Sequence, residues 1–439
     1  MYNLDSTPTL YYCLFSSNNG TFAGGMRNYN SSPILENCIF TDNTADIGGG
    51  MRNYSSSPTL TNCTFTSNTA TVYGGGMYNT YYSWPTLTDC TFTDNTATND
   101  GGGMRNDNSS PTLTNCTFTS NISTHYGGGM YSEYSNPTLT NCTFTSNTAT
   151  VYGGGMCNDN SSPTLENCTF TDNTANYGGG MFNEDDSNPT LTDCTFTDNS
   201  ADYNGGGMYN HDNSSPTLTN CTFENNTATI YDGGGMFNYN SSSPTLTDCT
   251  STDNSANYGG GMFNEDDSNP TLTDCTFTDN TATYYGGGMH NNYSSSPTLT
   301  NCIFDSNTAF YGGGGMSNGN SSSPTLTNCT FENNTATNDG GGMWNSSSSS
   351  PTLTDTTVCG NTPDQIYGGW TDNGGNIVAD ECPIDCPDLD GDGEVKMDDL
   401  LILIGDWGIC DGCAADIDGD GEVNMDDLLL LIGAWGACP

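Results

Sequence analysis

Apolar residues recur in a fixed order along most of the chain: Met, then Leu, Cys and Phe, then Ala, set among polar residues and glycine. The unit reads G-G-G-M-x-N, a Ser/Asn-rich stretch, then P-T-L-T-N/D-C-T-F-T-x-N-T-A. Thirteen units carry a cysteine, from Cys13 and Cys38 to Cys302 and Cys329, at nearly constant spacing, and a fourteenth has Thr356 in that place. Ala175–Asn199 and Ala256–Asn280 are identical and lie three units apart, as block duplication would leave them. No helical period is present; short alternating runs closed by turn residues predict strands. In Leu60-Thr61-Asn62-Cys63-Thr64-Phe65, the three apolar residues cannot share one face of a straight strand, whose period is two. A bend at Asn62 would reset the alternation. Asn or Asp precedes twelve of the thirteen cysteines, Tyr12 being the exception, and these types best tolerate the left-handed conformation of a sharp bend. Each unit is therefore expected to be a coil of short strands, with Leu, Cys, Phe, Ala and Met inside and Thr outside.

One such coil cannot bury its apolar face, but stacked coils share a continuous thin core. Parallel pairing at about 4.8 Å per coil gives about 14 coils a length of roughly 65 Å. Asn43, Asn68, Asn95, Asn121 and their equivalents should form a buried amide ladder. Glycine triplets such as Gly74–Gly76 fit a tight corner that admits no side chain.

The pairing of Gly49-Gly50-Met51 with Phe65-Thr66-Ser67-Asn68, repeated along residues 1–362, resembles the repeats of chlamydial polymorphic outer membrane proteins and related right-handed parallel β-helix proteins. The resemblance implies an all-β, right-handed parallel β-helix at the cell surface or secreted, often adhesive. The membrane β-barrel that ends those proteins does not follow residue 362 here; a segment of different composition does.

That segment contains two matching loops. Asp388, Asp390, Asp392, Glu394 and Asp399 recur at the same relative positions as Asp416, Asp418, Asp420, Glu422 and Asp427, each loop running into an apolar stretch. Carboxylates at positions 1, 3, 5 and 12 with glycine at 6 are what a twelve-residue calcium loop supplies, with position 7 offering its backbone carbonyl. Position 9 is Asn424 in the second loop and Lys396 in the first, where a cation weakens the site. Each loop with one short helix, ending in Trp407-Gly408 and Trp435-Gly436, resembles a type I dockerin of the acidic kind found in planctomycete-like secreted proteins. The resemblance implies calcium as cofactor and a cohesin-like or cell-surface anchoring protein as partner. Met397-Asp398 and Met425-Asp426 stand where many dockerins place a small hydroxyl pair, which leaves partner identity open. The organisation expected is a β-helix over 1–362, a linker over 363–385 and a small α-helical dockerin-like domain over 386–439.

Charge narrows the partners. The 439 residues hold 51 acidic and 4 basic side chains, a net charge of −47, which gives nucleic-acid phosphates or anionic lipid no electrostatic purchase. No apolar run approaches the roughly 18 residues of a membrane span, so no membrane insertion is expected. Hydrophobic residues are only 33%, a level that suggests disorder unless a repeat shares one core among many coils. The ladder cysteines read as free buried thiols, because stacked parallel Cβ vectors stay too far apart for a disulfide. Cys359, Cys382, Cys386, Cys410, Cys413 and Cys438 lie outside the ladder and are expected to form disulfides in an exported protein. Cys157 stands at an outward position and is expected to be exposed.

Candidate chemistry is sparse. Arg27, Arg52 and Arg105 share the position after Met and read as a surface ladder rather than a lyase base. Glu184-Asp185-Asp186 and Glu265-Asp266-Asp267 are the densest acidic clusters, and as identical copies they read as solvated loops. His125, His211 and His290 belong to no nucleophile motif. The aromatic residues after Met, namely Tyr78, Tyr131, Phe182, Tyr209, Phe237, Phe263 and Trp344, should point outward and form a ladder, either as a surface for a ligand such as a glycan or another chain, or as stacking that stabilises the solenoid. A tyrosine row just before the glycine triplets, Tyr73 to Tyr311, runs beside it. Outward Thr pairs such as Thr64/Thr66 and Thr91/Thr93 resemble the arrays of some ice-binding solenoids. Asn108-Ser-Ser, Asn160-Ser-Ser, Asn213-Ser-Ser and the serine run before Pro351 read as places for glycosylation.

The function expected is a non-enzymatic, extracellular or cell-surface scaffold or adhesin; a polysaccharide-processing β-helix enzyme or an ice- or glycan-binding solenoid is the alternative. Met1-Tyr2-Asn3 aligns with Met77-Tyr78-Asn79 inside a unit, with no cap or signal peptide before it. A cut or misplaced start, or an open edge that pairs with another subunit, head to tail into filaments, is the corresponding expectation.

Overall fold

The structure is a computed structural model that describes the chain outside residues 383–388, 390–393, 410–412, 418–421, 434–435 and 438–439. It divides into two compact units, Met1–Val378 and Ala379–Pro439.

The first unit is a parallel β-solenoid. Three sheets of fifteen strands and one of thirteen run its length, each strand paired with its equivalents one coil before and after. We name the sheets by the residue they turn inward. In one coil the chain passes through the Met sheet (Met51–Tyr54), the Leu sheet (Thr59–Thr61), the Phe sheet (Thr64–Thr66) and the Ala sheet (Thr69–Tyr73), then through the glycine triplet to the next Met. Register is strict: Leu60 pairs with Leu35 and Leu87, and Phe65 with Phe40 and Phe92.

The bends that make this possible are left-handed residues. Asn62 has φ 51° between the Leu and Phe strands, Ser67 has φ 54° between the Phe and Ala strands, and Ser55 has φ 47° after the Met strand. Each resets the alternation, so Met51, Leu60, Cys63, Phe65 and Ala70 all point inward and are fully buried. Tyr12, the exception to the Asn/Asp rule, takes the same conformation at φ 52°. The glycine triplet has two roles. Gly74, at φ 65°, turns the chain back over the Met strand, and a Cβ on Gly75 would lie 2.4 Å from the carbonyl oxygen of Gly102 in the next coil.

Polar groups inside are satisfied along the axis. The Asn68 side chain donates to Asn95 Oδ1 at 3.0 Å and to the Phe40 carbonyl at 2.9 Å, while its own backbone N–H donates to the same Oδ1 at 3.1 Å. This confirms the expected ladder, which ends where Asn361 donates to Gln365 Oε1 at 2.8 Å. Two further ladders go beyond the sequence reading. Asn28, Asn53, Asn79 and Asn106 form a second amide row under the Met sheet, and Ser31, Ser56 and Ser83 accept from backbone N–H groups one coil earlier. The thiols are free, and Cys63 Sγ donates to the Thr61 carbonyl at 3.4 Å. Phenylalanine rings stack with centroids 4.7 Å apart and planes 3° from parallel between Phe40 and Phe65.

The chain does not leave the solenoid at residue 362. Ile366–Tyr367 pairs with the Met strand of the preceding coil and Thr371–Asp372 with its Leu strand, so a fifteenth, irregular coil occupies most of the expected linker. Trp370 packs against the core there in place of a repeat residue.

The second unit holds two short helices, α1 (Met397–Gly405) and α2 (Met425–Gly433), and two antiparallel strand pairs, Glu394–Val395 with Gly436–Ala437 and Gly408–Ile409 with Glu422–Val423. Its core is correspondingly twofold: Val395 and Leu403 from one half, Val423 and Leu431 from the other, with Ala415. Cys359, Cys382 and Cys413 are disulfide-bonded; Cys386, Cys410 and Cys438 lie outside the described residues.

One coil breaks the phenylalanine stack. Ser251 stands between Phe223 and Phe277 and leaves a small apolar cavity lined by both rings, Leu246 and Met262. Ser251→Phe should fill it and raise stability by about 1–3 kcal/mol. Asn121→Ala should instead cost about 3 kcal/mol or more, since it strands the Phe92 carbonyl and the Asn95 donors. Thermal unfolding of both variants checks the pair of signs.

Candidate functional site

The residue after Met points away from the core, as expected, but it does not reach solvent. Tyr78, Tyr131, Phe182, Tyr209, Phe237 and Phe263 are all buried, and only Trp344 of that set is half-exposed. Their burial follows from the glycine corner: the segment before the triplet folds across the outer face of the Met sheet and lays its own tyrosines over them. Tyr126 stacks on Tyr131 at 5.1 Å, Tyr152 meets Phe182 at 4.7 Å, and Tyr285 meets Trp344 at 4.9 Å. The expected surface ladder is thus a second hydrophobic layer outside the sheet. Tyr311 leaves this row, because Gly312 takes its place in register.

Cys157 lies in the same layer and is fully buried, which corrects its expected exposure. Burial, with Glu184, Asp159 and Asp100 nearby, pushes its thiol well above the ordinary range and keeps it protonated. Arg105 is buried too. Its guanidinium lies 4.0 Å over the Tyr73 ring, donates to Glu133 at 2.7 Å and pairs with Asp100. Arg27 and Arg52 are half-buried in the same row.

Two clefts in this layer hold both acidic and histidine side chains. The larger, of about 390 Å³, is walled by Tyr258, Tyr285 and Trp344 and carries Asp232, Glu265 and His290. The smaller, of about 170 Å³, holds Glu184 and His211 among Tyr152, Tyr177 and Tyr209. In the sequence, Glu184 and Glu265 read as parts of solvated loops. Asp185, Asp186 and Asp267 do face solvent, but both glutamates sit at the end of a Met strand and tuck their carboxyls against the aromatic layer. Burial first, and then neighbouring carboxylates, push Glu184, Asp232 and Glu265 each up to about 7. Burial brings His290 down to about 3, so it is neutral, and its Nδ1 has no hydrogen-bond partner. His211 Nδ1 lies 3.2 Å from Asp212 and 3.9 Å from Glu184. His125 stays exposed beside Thr124. The signal that could have found the larger cleft is positional: Asp232 interrupts the tyrosine row.

The model described as "Right handed beta helix region" matches residues 75–251 and 224–384. The chain belongs to the right-handed β-helix family. Comparison with curated proteins gives no match. Among solved structures, a TibC-catalysed hyper-glycosylated fragment of TibA is similar at 14% identity and a TM-score of 0.31, covering 85% of this chain and 100% of that one. A mannuronic acid specific polysaccharide family 6 lyase from human gut microbiota is similar at 10% identity and a TM-score of 0.32, covering 85% and 87%.

The threonine pairs of this right-handed β-helix are in register on the outside of the Phe sheet, Thr64 with Thr91 and Thr66 with Thr93, each half-exposed. Glu224, Asp305 and Glu332 interrupt the array further along. In the C-terminal unit, Asp399 and Asp427 are buried and close their loops alike. Asp399 accepts from the Leu389 and Lys396 backbone N–H groups at 2.6 and 2.7 Å, and Asp427 from those of Ile417 and Asn424 at 2.6 and 2.8 Å. Lys396 pairs with Glu394. Glu422 and Asp416 are described; Asp388, Asp390, Asp392, Asp418 and Asp420 lie outside the described residues. Among the described residues no helix is long and apolar enough to cross a membrane.

The raised carboxyls make stability depend on pH. Each binds its proton more tightly folded than unfolded, so its contribution is complete below the unfolded range near about 4 and is lost as pH rises through 7. The triple variant Glu184→Gln, Asp232→Asn, Glu265→Gln should lose less melting temperature between pH 4.5 and 7.5 than the parent. Parallel curves for the two proteins would show that these groups do not carry the effect.

Proposed function

We propose that the protein is an extracellular scaffold or adhesin whose C-terminal unit attaches it, in a calcium-dependent way, to a cohesin-like or cell-surface anchoring protein. The observation that carries this reading is the matched pair of buried loop-closing carboxylates, Asp399 and Asp427, each fixed by two backbone N–H groups from its own loop. A carboxylate has about four lone-pair sites, so two donors leave each oxygen able to bind a cation as well. The donor set is all hard oxygen, which suits calcium: the Asp399 and Asp427 side chains, with the Glu394 and Glu422 backbone carbonyls at position 7. Lys396 at position 9 makes the first loop the weaker. The disulfide-bonded cysteines agree with an oxidising compartment. The outer faces of α1 and α2 leave Leu401, Ile404, Leu429 and Ile432 exposed, a matched apolar pair of surfaces for an anchoring partner. In this reading the solenoid is the displayed part, and glycosylated Ser/Asn turns or end-to-end self-association would extend it.

A second reading, polysaccharide processing, is favoured by one observation. Asp232 and Glu265 share a cleft and both titrate near neutral pH, where one carboxyl can give up a proton as acid while the other takes one as base.

In the full chain, calcium at 100 times its dissociation constant should stabilise the C-terminal unit by about 2.7 kcal/mol, with no change in the solenoid. Asp427→Asn should remove the tighter of two calorimetric sites, and a chelator should release the protein from the surface of cells that display it. Calcium titration without heat or a melting shift would overturn the anchoring reading. Turnover of a polysaccharide that is lost in Glu265→Gln would replace the scaffold by an enzyme.

A further inference from the structure

The solenoid contains the same acidic pair twice, once filled and once not. Asp100 immediately precedes its glycine triplet, and Glu133 stands three residues after Met in the next coil. Arg105, the residue after Met in the Asp100 coil, places its guanidinium between them, over the faces of Tyr73 and Tyr131. Five coils on, Asp232 again precedes its triplet and Glu265 again stands three residues after Met in the next coil. The position of Arg105 is now Phe237, which lies in register with Tyr209 and Phe263. No other coil pair repeats this offset combination of acids.

The two carboxyls of the second pair have no ion-pair partner in the solenoid, and the sequence shows why. Its only basic residues are Arg27, Arg52 and Arg105, all before Asp232, and Lys396 belongs to the other unit. Both acids are half-buried, and carboxyls withdrawn from water without a counter-cation favour keeping their protons or taking a cation from outside. The cleft beside them is large enough for an arginine side chain, and Tyr258, Tyr285 and Trp344 offer aromatic faces to it. His290, nine-tenths buried and lining the cleft, contributes an unpartnered ring nitrogen that can accept an N–H bond.

We infer that the Asp232–Glu265 cleft is a receptor for an arginine side chain presented by a partner polypeptide, which would complete in trans the arrangement that Arg105 completes in cis. The guanidinium fork would span both carboxylates, as it spans Asp100 and Glu133, with His290 accepting a further N–H. The strongly negative chain would draw a basic partner to the cleft, and the aromatic walls would favour the planar guanidinium over the compact ammonium of lysine.

The test is calorimetric titration of the full chain at pH 8 with acetyl-arginine amide and a Gly-Arg-Gly peptide, in the presence of a chelator. Under those conditions the calcium-dependent anchoring plays no part, so failure there leaves this result unaffected. Saturable binding is expected, at least tenfold weaker with lysine in place of arginine and absent with citrulline. Glu265→Gln and Asp232→Asn should each weaken it tenfold or more, whereas Asp279→Asn, which removes an exposed carboxylate from a bend of the Phe sheet, should not. Phe237→Arg should supply the missing cation internally and abolish binding. If that variant misfolds, the two carboxylate variants still decide. Equal binding of citrulline, no loss in Glu265→Gln, no binding of either arginine probe at millimolar concentration, or binding of a glucosamine oligosaccharide instead would each overturn the inference.

Discussion

An asparagine amide buried between stacked coils can find partners only along the axis. Asn68 needs the Oδ1 of Asn95 ahead of it and the carbonyl of Phe40 behind it, so one residue constrains three consecutive coils. A slip of one residue would leave these donors and acceptors unmet in a medium where each costs about 1–3 kcal/mol. It would also turn every inward side chain outward. Strict register is therefore enforced by polar groups at least as much as by the apolar core, and the parallel phenylalanine stack is its consequence. Where a ladder residue changes, the strain is visible. Ser132 replaces an asparagine in the second amide row, so that Asn106 reaches it only at 3.4 Å and the buried Asn158 Oδ1 loses its donor.

The same register organises the outside of the Met sheet. Because every coil returns through a glycine corner, the segment before that corner must lie across the sheet's outer face. A row of side chains that would otherwise be solvent-exposed is thereby roofed by tyrosines. This second layer excludes water from whatever enters it, and it holds most of the molecule's unusual electrostatics: a buried arginine, a buried thiol, a neutral histidine and three carboxyls held near 7. The fold supplies a regular lattice of positions there. Single substitutions on that lattice, Asp for Tyr or Phe for Arg, decide whether a position packs, pairs or opens into a cleft.

The C-terminal unit follows a separate logic. It has too few apolar residues for a large core, and its two halves close by carboxylate-to-backbone bonds instead. Small extracellular modules solve the same problem with covalent or metal cross-links. The solenoid and the C-terminal unit are thus stabilised by different means within one chain.

The repeat by itself determined the coil, the parallel stacking, the left-handed bend before each cysteine, the first amide ladder and the free thiols. All of these depend on one unit and its identical neighbours, so the period and residue types along the chain suffice. The twin acidic loops are a sequence feature of the same local kind, alternating aspartates with a glycine at position 6 that the chain repeats in the same order, and most of their carboxylates lie outside the described residues. What only the tertiary structure decided was the fate of side chains on the outer face. Alternation told that Tyr131 and Phe182 point away from the core, but not that a returning segment covers them, because that segment's path is set by the φ of the glycine corner. For the same reason Glu265 reads as part of a solvated cluster in the sequence, and becomes a half-buried acid sharing a cleft with Asp232 only once two neighbouring coils are laid side by side.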